Sequence, residues 1–149
     1  MNYLKQKHMK NVHIGLEKRN NNMDKKYGLS PSEYEIMEYL WEAGKKVYFK
    51  EIFRYFSQLK GWKKQTLSTY LTKMINEGLL MADKEGKFFL YYPVCSKEEH
   101  IHRWTKEMIN SAYGNSLGTF MAAFSGGDSL SDEDIEELKL FLQQYGSVE

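Results

Sequence analysis

The sequence has little cysteine and little proline, and it contains no long hydrophobic run. Of its 149 residues, one is a cysteine (Cys95) and two are prolines. A single cysteine excludes a disulfide framework and any metal site built only from thiolates. No apolar run approaches the ~20 residues that a membrane span needs, and the N-terminus lacks the pattern of a secretory signal. We therefore predict a soluble cytoplasmic protein without membrane insertion.

The common sequence signatures of enzymes are missing as well. There is no glycine-rich phosphate loop, no GxSxG and no HExxH. A metal-dependent hydrolase built on Glu98, Glu99, His100 and His102 is the one enzymatic alternative. His100 and His102 are two residues apart, about 200° around a helix, so they do not face one ion. We predict no catalytic residue, no metal and no cofactor.

Charge is abundant and unevenly distributed along the chain. The formal net charge is only +1, but residues 1–26 carry +5, residues 44–92 carry +6 and residues 96–149 carry −6. This asymmetry indicates a half that binds a polyanion and a half with another task. Residues 1–27, rich in Asn and Lys and without helical periodicity, are predicted to be a basic disordered arm. The alternative for residues 1–22 is translation from an upstream start codon, with Met23 as the first residue of the protein.

Two helices are predicted at the start of the ordered region. Ser30 and Glu33 form a capping box with Pro31 at the first helical position, and Gly44 ends this helix. Val47 is predicted as a single extended residue before the second helix. The apolar residues of that helix follow helical spacing: Phe49, Ile52, Phe53 and Phe56.

A third helix and a hairpin follow. The helix runs from about residue 63 to 77 and is followed by Gly78 in the position that favours glycine. Residues 79–82 and 88–93 are predicted as strands on either side of a tip at residues 84–87. Three helices followed by a hairpin are typical of a winged helix-turn-helix. The predicted fold is mainly α (α+β), with a winged-helix DNA-binding domain at residues 28–94.

The remaining residues, 95–149, are predicted to be helical. Ser96 caps a fourth helix and Ser131 caps the last one, with a shorter apolar segment at residues 115–124 and a break at Gly126. Both capped helices carry an apolar stripe. The stripes are formed by Ile101, Trp104 and Met108 in the fourth helix and by Ile135, Leu138, Phe141 and Leu142 in the last.

The third helix has one apolar side and one polar side without acidic residues. Its polar side chains can hydrogen-bond to base edges or to phosphates. Because a helix-turn-helix places this helix in the major groove, we predict eight DNA contacts there: Lys63, Lys64, Gln65, Thr66, Ser68, Thr69, Thr72 and Lys73. Lys84 and Lys87 flank the hairpin tip and are predicted to contact a phosphate or the minor groove. The aromatic residues of the hairpin are predicted to be core: Phe88, Phe89, Tyr91 and Tyr92.

Four groups of residues, in this order, resemble the penicillinase repressor family (BlaI/MecI/CopY). The resemblance covers about residues 28–145. The groups are Leu29-Ser30, Glu33, Glu35-Ile36-Met37 and Leu40-Trp41; then Gly61-Trp62, Thr66, Thr69 and Leu71; then Glu85-Gly86-Lys87, Tyr91 and Pro93; then Leu130-Ser131 and Asp134-Ile135-Glu136-Glu137-Leu138.

The resemblance implies a dimeric winged-helix repressor that binds a dyad-symmetric operator in double-stranded DNA. It makes residues 95–149 a helical dimerisation domain, with the two apolar stripes at the dimer interface. In the beta-lactam branch of the family, a membrane sensor with a metallopeptidase domain leads to cleavage of the repressor. In this sequence, the bond at the position that the resemblance gives to the cleaved one is Ala123–Phe124. The copper branch binds Cu(I) through paired cysteines, which a chain with one cysteine excludes. The alternative hypothesis is a winged-helix protein-interaction module without sequence-specific DNA binding.

Overall fold

The computed structural model describes residues 24–146, which form six helices and three strands. Residues 1–23 of the predicted arm lie outside the described residues. The chain divides into two compact units, one up to Trp104 and one from Thr105. The elements are α1 (Pro31–Ala43), β1 (Val47–Tyr48), α2 (Phe49–Lys60), α3 (Lys64–Asn76), β2 (Leu80–Glu85), β3 (Phe88–Pro93), α4 (Lys97–Tyr113), α5 (Leu117–Ser125) and α6 (Asp132–Tyr145).

The ends of α1 are set by its own residues, as predicted. The backbone N–H of Glu33 donates to Ser30 Oγ at 3.3 Å, and the N–H of Ser30 donates to Glu33 Oε1 at 3.3 Å. This capping box satisfies two of the N–H groups that a helix start leaves without partners. Gly44 ends the helix in the left-handed conformation, with φ +62°. Local chemistry therefore fixes where the first helix begins and ends.

Serine also begins all three helices that follow the hairpin. The N–H groups of Glu99, Thr119 and Asp134 donate to Ser96, Ser116 and Ser131 Oγ at 3.2, 3.1 and 3.1 Å. The two predicted serine caps are confirmed. The apolar segment predicted at residues 115–124 is the nine-residue helix α5, which ends at Gly126 with φ +62°.

The sheet has three antiparallel strands in the order β1-β3-β2. The prediction of a single extended residue at Val47 missed β1, in which Val47 pairs with Tyr91 and Tyr48 pairs with Leu90. Strand β2 pairs with β3 as far as Glu85 opposite Phe88, so the hairpin turn contains only residues 86–87. The predicted four-residue tip was too long, because both strands continue pairing almost to the turn.

The first unit holds one hydrophobic core beneath its three helices and one face of the sheet. We call this the inner face of the sheet. The buried apolar residues are Leu29, Ile36, Met37, Leu40, Val47, Ile52, Phe56, Leu67, Leu71, Met74 and Leu80. Three helices closed by an antiparallel hairpin are a winged helix-turn-helix, so the predicted fold class is confirmed.

The first unit continues past residue 94, into the first turns of α4. The indole N–H of Trp41 donates to the carbonyl oxygen of Cys95 at 3.0 Å. A ring nitrogen of His100 lies 3.0 Å from the carbonyl oxygen of Tyr27. The ring of Trp104 packs edge-on against Tyr27, with centroids 6.0 Å apart. These contacts attach the start of α4, and the residues just before α1, to the winged-helix domain.

Gly28 marks a close approach in this region. Its φ is +79°, and a Cβ built there would lie 2.9 Å from both Cδ1 and Nε1 of Trp104. We expect Gly28→Ala to lower the free energy of unfolding by roughly 2–4 kcal/mol, because left-handed strain and overpacking add. Urea unfolding followed by tryptophan fluorescence measures this.

Gly44→Ala is the matched control for this prediction. Gly44 also has a positive φ, but no atom lies within 4 Å of a Cβ built there. Its loss should therefore be limited to the left-handed strain, about 1–2 kcal/mol. Equal losses in the two variants would show that Trp104 does not pack on Gly28.

Candidate nucleic-acid interface

A stack of three aromatic rings holds the start of α3. Trp62 lies between Phe56 of α2 and Tyr70 of α3, with ring centroids 5.0 Å apart on both sides. The rings are nearly parallel, at 15° and 19°. Because Trp62 immediately precedes Lys63, the N-cap of α3, the stack fixes the direction in which α3 leaves the turn.

Helix α3 buries one side and exposes the other. Leu67, Leu71 and Met74 are buried against the core. The opposite side is exposed, and the predicted residue Thr66 is half-buried at its margin. We call this exposed side the recognition face. It forms one open depression lined by Gln65, Ser68, Thr69, Thr72, Lys73 and Asn76, with Glu77 at its end.

The two lysines that precede this face are exposed, as the sequence predicted. Lys63 is the N-cap residue and Lys64 begins the helix. The ammonium group of Lys64 lies 5.8 Å from the ring centre of Phe53. The positive end of the helix dipole lies at the same end. The N-terminus of α3 therefore combines side-chain and backbone features that attract phosphate.

Thr69 has a defined hydrogen-bonding state within this face. Its hydroxyl donates to the carbonyl oxygen of Gln65, one turn earlier, at 2.8 Å. The hydroxyl proton is thereby occupied, whereas the oxygen can still accept and the methyl group remains apolar. Such a group suits the amino group of adenine or cytosine, or the methyl group of thymine.

The C-terminal end of the recognition face holds an acidic residue that the sequence analysis did not place there. Lys73 Nζ lies 3.7 Å from Oε1 of Glu77 and 3.7 Å from Oε1 of the buried Glu33. The Glu33 carboxyl opposite raises the pKa of Glu77. Burial opposes ionisation of Glu33, but hydrogen bonds from Ser30 and the charge of Lys73 leave its pKa lowered. Lys73 thus already has two carboxylate partners. It differs in this from Lys63 and Lys64, the predicted DNA contacts at the start of the helix.

The wing carries its predicted lysines, but only Tyr91 of its four aromatic residues packs on the core. Tyr92 is half-buried outside the core and donates a hydrogen bond to Asp83 Oδ1 at 3.2 Å. Phe88 is 57% exposed and Phe89 is 45% exposed, so their assignment to the core was wrong. The ammonium group of Lys87 lies 5.8 Å from the ring centre of Phe88, and that of Lys84 lies 6.0 Å from Phe89. The hairpin extends beyond the helices, so only its base, including Tyr91, reaches the core.

The residues of the hydrolase alternative do not assemble into a metal site. Glu99 pairs with Arg103 at 2.6 Å, and His100 lies against Tyr27. Across residues 24–146, no three His, Cys, Asp or Glu side chains converge as metal ligands would. In the same range, no helix is both long and apolar enough to cross a membrane. Burial raises the pKa of the Cys95 thiol, which does not favour a reactive thiolate.

The predicted dimer-interface residues lie in two kinds of surroundings. Trp104 packs within its own chain, against Tyr27 and Gly28. The predicted residues of α6 face outward to different degrees: Ile135, Phe141 and Leu142 are 37%, 54% and 60% exposed, and Leu138 is half-buried. On α4, Ile101 and Met108 are half-buried. Ala123 and Phe124 are exposed in the last turn of α5.

Comparison with known proteins gives consistent matches. The family model for the penicillinase repressor matches residues 29–144. The penicillinase repressor of Bacillus licheniformis is 28% identical over 117 residues, covering 78% of this chain and 91% of the relative. The methicillin resistance regulatory protein MecI of Staphylococcus aureus is 26% identical over 121 residues, covering 81% and 98%.

Among solved structures, the DNA-binding domain of the repressor BlaI, determined in solution, is 28% identical. The structural match covers 50% of this chain and 90% of the BlaI domain, with a TM-score of 0.45. The family match extends from Leu29, the residue before the α1 cap, into the last turn of α6, so it covers parts of both compact units. The family is one of transcriptional repressors and not of enzymes. The chain belongs to the penicillinase repressor family.

Proposed function

We propose that this protein is a cytoplasmic transcriptional repressor that binds a dyad-symmetric DNA operator as a homodimer. The observation that carries the proposal is the recognition face of α3. It is exposed and polar, the helix contains no acidic residue, and two lysines precede it. Two relatives that match over about four fifths of this chain support the same function, since one is named a penicillinase repressor and the other a methicillin resistance regulatory protein.

In this proposal the N-terminal half of α3 enters the major groove. Lys63 and Lys64 neutralise phosphates at its edge, and Gln65, Ser68 and Thr69 reach base edges. The wing lysines bind the backbone on one side of this groove. Lys73 contributes least to DNA affinity because its ammonium group is shared by Glu33 and Glu77.

The exposed apolar side chains of the second unit support dimerisation. From residue 105 to residue 146, no side chain is buried in the monomer, and several large apolar groups are more than half exposed. These include Leu117, Phe124, Leu140, Phe141, Leu142 and Tyr145. A second chain would bury this surface. It would also place two copies of α3 about one turn of DNA apart, ~34 Å.

Cleavage between Ala123 and Phe124, triggered by a membrane sensor metallopeptidase, extends the proposal to relief of repression. Both residues are exposed in the last turn of α5, directly before Gly126 and Gly127. The end of a short helix unwinds more easily than its middle, so a peptidase could accept this bond there. Cleavage would separate α6 from the rest of the chain and remove its contribution to the dimer.

The first experiment is an anisotropy titration of the full chain. The DNA comes from the protein's own promoter region, unrelated DNA serves as competitor, and two salt concentrations are used. We expect tight, salt-sensitive and competitor-resistant binding with two chains per site. Weak and equal binding to both DNAs would contradict the proposal and favour the alternative, a winged-helix protein-interaction module.

Thr69→Ala tests whether the recognition face reads bases. We expect its affinity for the specific site to fall roughly fivefold to tenfold, because one polar contact to a base is lost. Affinity for unrelated DNA should stay unchanged in the same titration. An equal loss on both DNAs would make Thr69 a backbone contact and not a base reader.

Lys84→Ala combined with Lys87→Ala tests the wing. We expect the slope of log affinity against log salt to decrease by about 1 for each lost phosphate contact. The matched control is Lys106→Ala combined with Lys139→Ala, which removes the same charge from the second unit. A slope reduced equally in both variants would show that only net charge matters.

Phe141→Asp tests the dimer. A carboxylate on the apolar side of α6 should dissociate the dimer, as measured by sedimentation, and lower operator affinity with it. Lys139→Asp is the matched control, because it adds the same residue about 200° around the helix. A dimer that persists in the Phe141 variant would contradict the assignment of α6 to the interface.

A further inference from the structure

The two exposed phenylalanines of the wing lie on opposite faces of the hairpin. Neighbouring residues of a strand point to alternate faces, so Phe89 shares a face with Tyr91, and Phe88 does not. Phe89 is opposite Lys84 in the strand register, and Phe88 is opposite Glu85. Each ring has a lysine ammonium group within about 6 Å of its centre. The wing tip therefore carries two similar aromatic residues that differ in the face they occupy.

The face of Phe89 is the inner face of the sheet. The residues of this face nearer the core, Val47, Leu80 and Tyr91, all belong to the core or pack against it. Strand β2 contacts α3 directly. Phe89 thus continues the sheet face that packs on the helices, out to where the hairpin extends beyond them. Phe88 is on the outer face, where its ring contacts Tyr48 edge-on with centroids 6.3 Å apart.

At the tip of the wing, the inner face also carries positive charge, which favours contact with DNA. Lys84 is exposed beside Phe89, whereas Glu85 lies on the outer face and accepts a hydrogen bond from Tyr48 at 3.0 Å. The outer face also holds Asp83, which is bound by Lys46. Each face of the tip therefore carries an aromatic ring near a lysine, but the acidic residues of the wing, Asp83 and Glu85, lie only on the outer face.

We propose that Phe89 is itself a DNA contact, whose ring enters the minor groove beside the major groove occupied by α3. This rests on the proposed function. The apolar ring packs against the deoxyribose groups of the groove wall, and Lys84 binds the phosphate bordering them. Phenylalanine side chains are among the apolar groups that proteins insert into this groove. The wing then contributes a contact that does not depend on salt, next to one that does.

Phe89→Ala and Phe88→Ala are the matched pair that tests the inference in the full chain. We expect Phe89→Ala to weaken binding to the specific site about tenfold, because the apolar surface that the ring buries against the sugar groups is lost. Phe88→Ala should change affinity less than twofold, although its ring is the more exposed of the two. Thermal unfolding of both variants is measured alongside, and Phe89→Leu, which retains an apolar group, should recover part of the affinity.

The salt dependence distinguishes a direct contact from an indirect one. If Phe89 contacts DNA itself, Phe89→Ala leaves the slope of log affinity against log salt unchanged, because no phosphate contact is lost. A slope reduced as in Lys84→Ala would overturn the inference, since Phe89 would then act only by positioning Lys84. Equal losses in the two phenylalanine variants would also overturn it. If the unmodified protein does not prefer its promoter DNA, the proposed function fails first, independently of Phe89.

Discussion

The burial of one side of α3 determines what the opposite side can do. Leu67, Leu71 and Met74 have almost no exposed surface, so the helix cannot rotate about its axis without exposing them to water. Their burial turns Gln65 and Thr69 outward, because the helical repeat fixes the angle between the two sets. The stack of Trp62 between two rings sets the point where the helix begins. Core packing, and not any interaction on the surface, therefore creates the recognition face.

The two units differ in how far they bury their apolar residues. The first buries eleven of them in one core, while the second unit buries none of its described residues. Helices with exposed apolar sides gain little stability alone, since most helical stability in proteins comes from tertiary packing. The fold of the second unit is thus tied to what covers it. In the proposed dimer, the surface that stabilises the second unit also sets the spacing of the two recognition helices.

The sequence predicts most of the fold because its strongest signals are local. The capping box of Ser30 and Glu33, the glycine after α1 and the apolar repeat of α2 each act within one or two turns. The eight predicted contacts of α3 follow from helical periodicity alone, and the structure places seven of them on exposed positions. What each of them binds on DNA stays a prediction.

The features that the sequence did not predict depend on distant residues. Strand β1 forms only because Val47 meets Tyr91 across the sheet. Glu77 shares Lys73 with Glu33, which belongs to another helix. The exposure of Phe88 and Phe89 depends on how far the hairpin extends beyond the helices, and strand alternation carries no information about that distance. The sequence pattern therefore assigns an apolar residue near a turn to the core, although the length of the hairpin places it at the surface.

In the proposed dimer, the stability of the DNA-binding domain and the affinity for the operator would depend on different parts of the chain. Each winged-helix unit folds around its own core, so loss of the dimer would leave two intact DNA-binding units. Each of them would bind one half-site without the high effective concentration that linkage to the other provides. Cleavage in α5 would therefore act on occupancy of the operator and not on the fold of the DNA-binding domain. The exposed Ala123–Phe124 bond lies in the unit without a buried core, and the residues proposed to read DNA lie in the unit that has one.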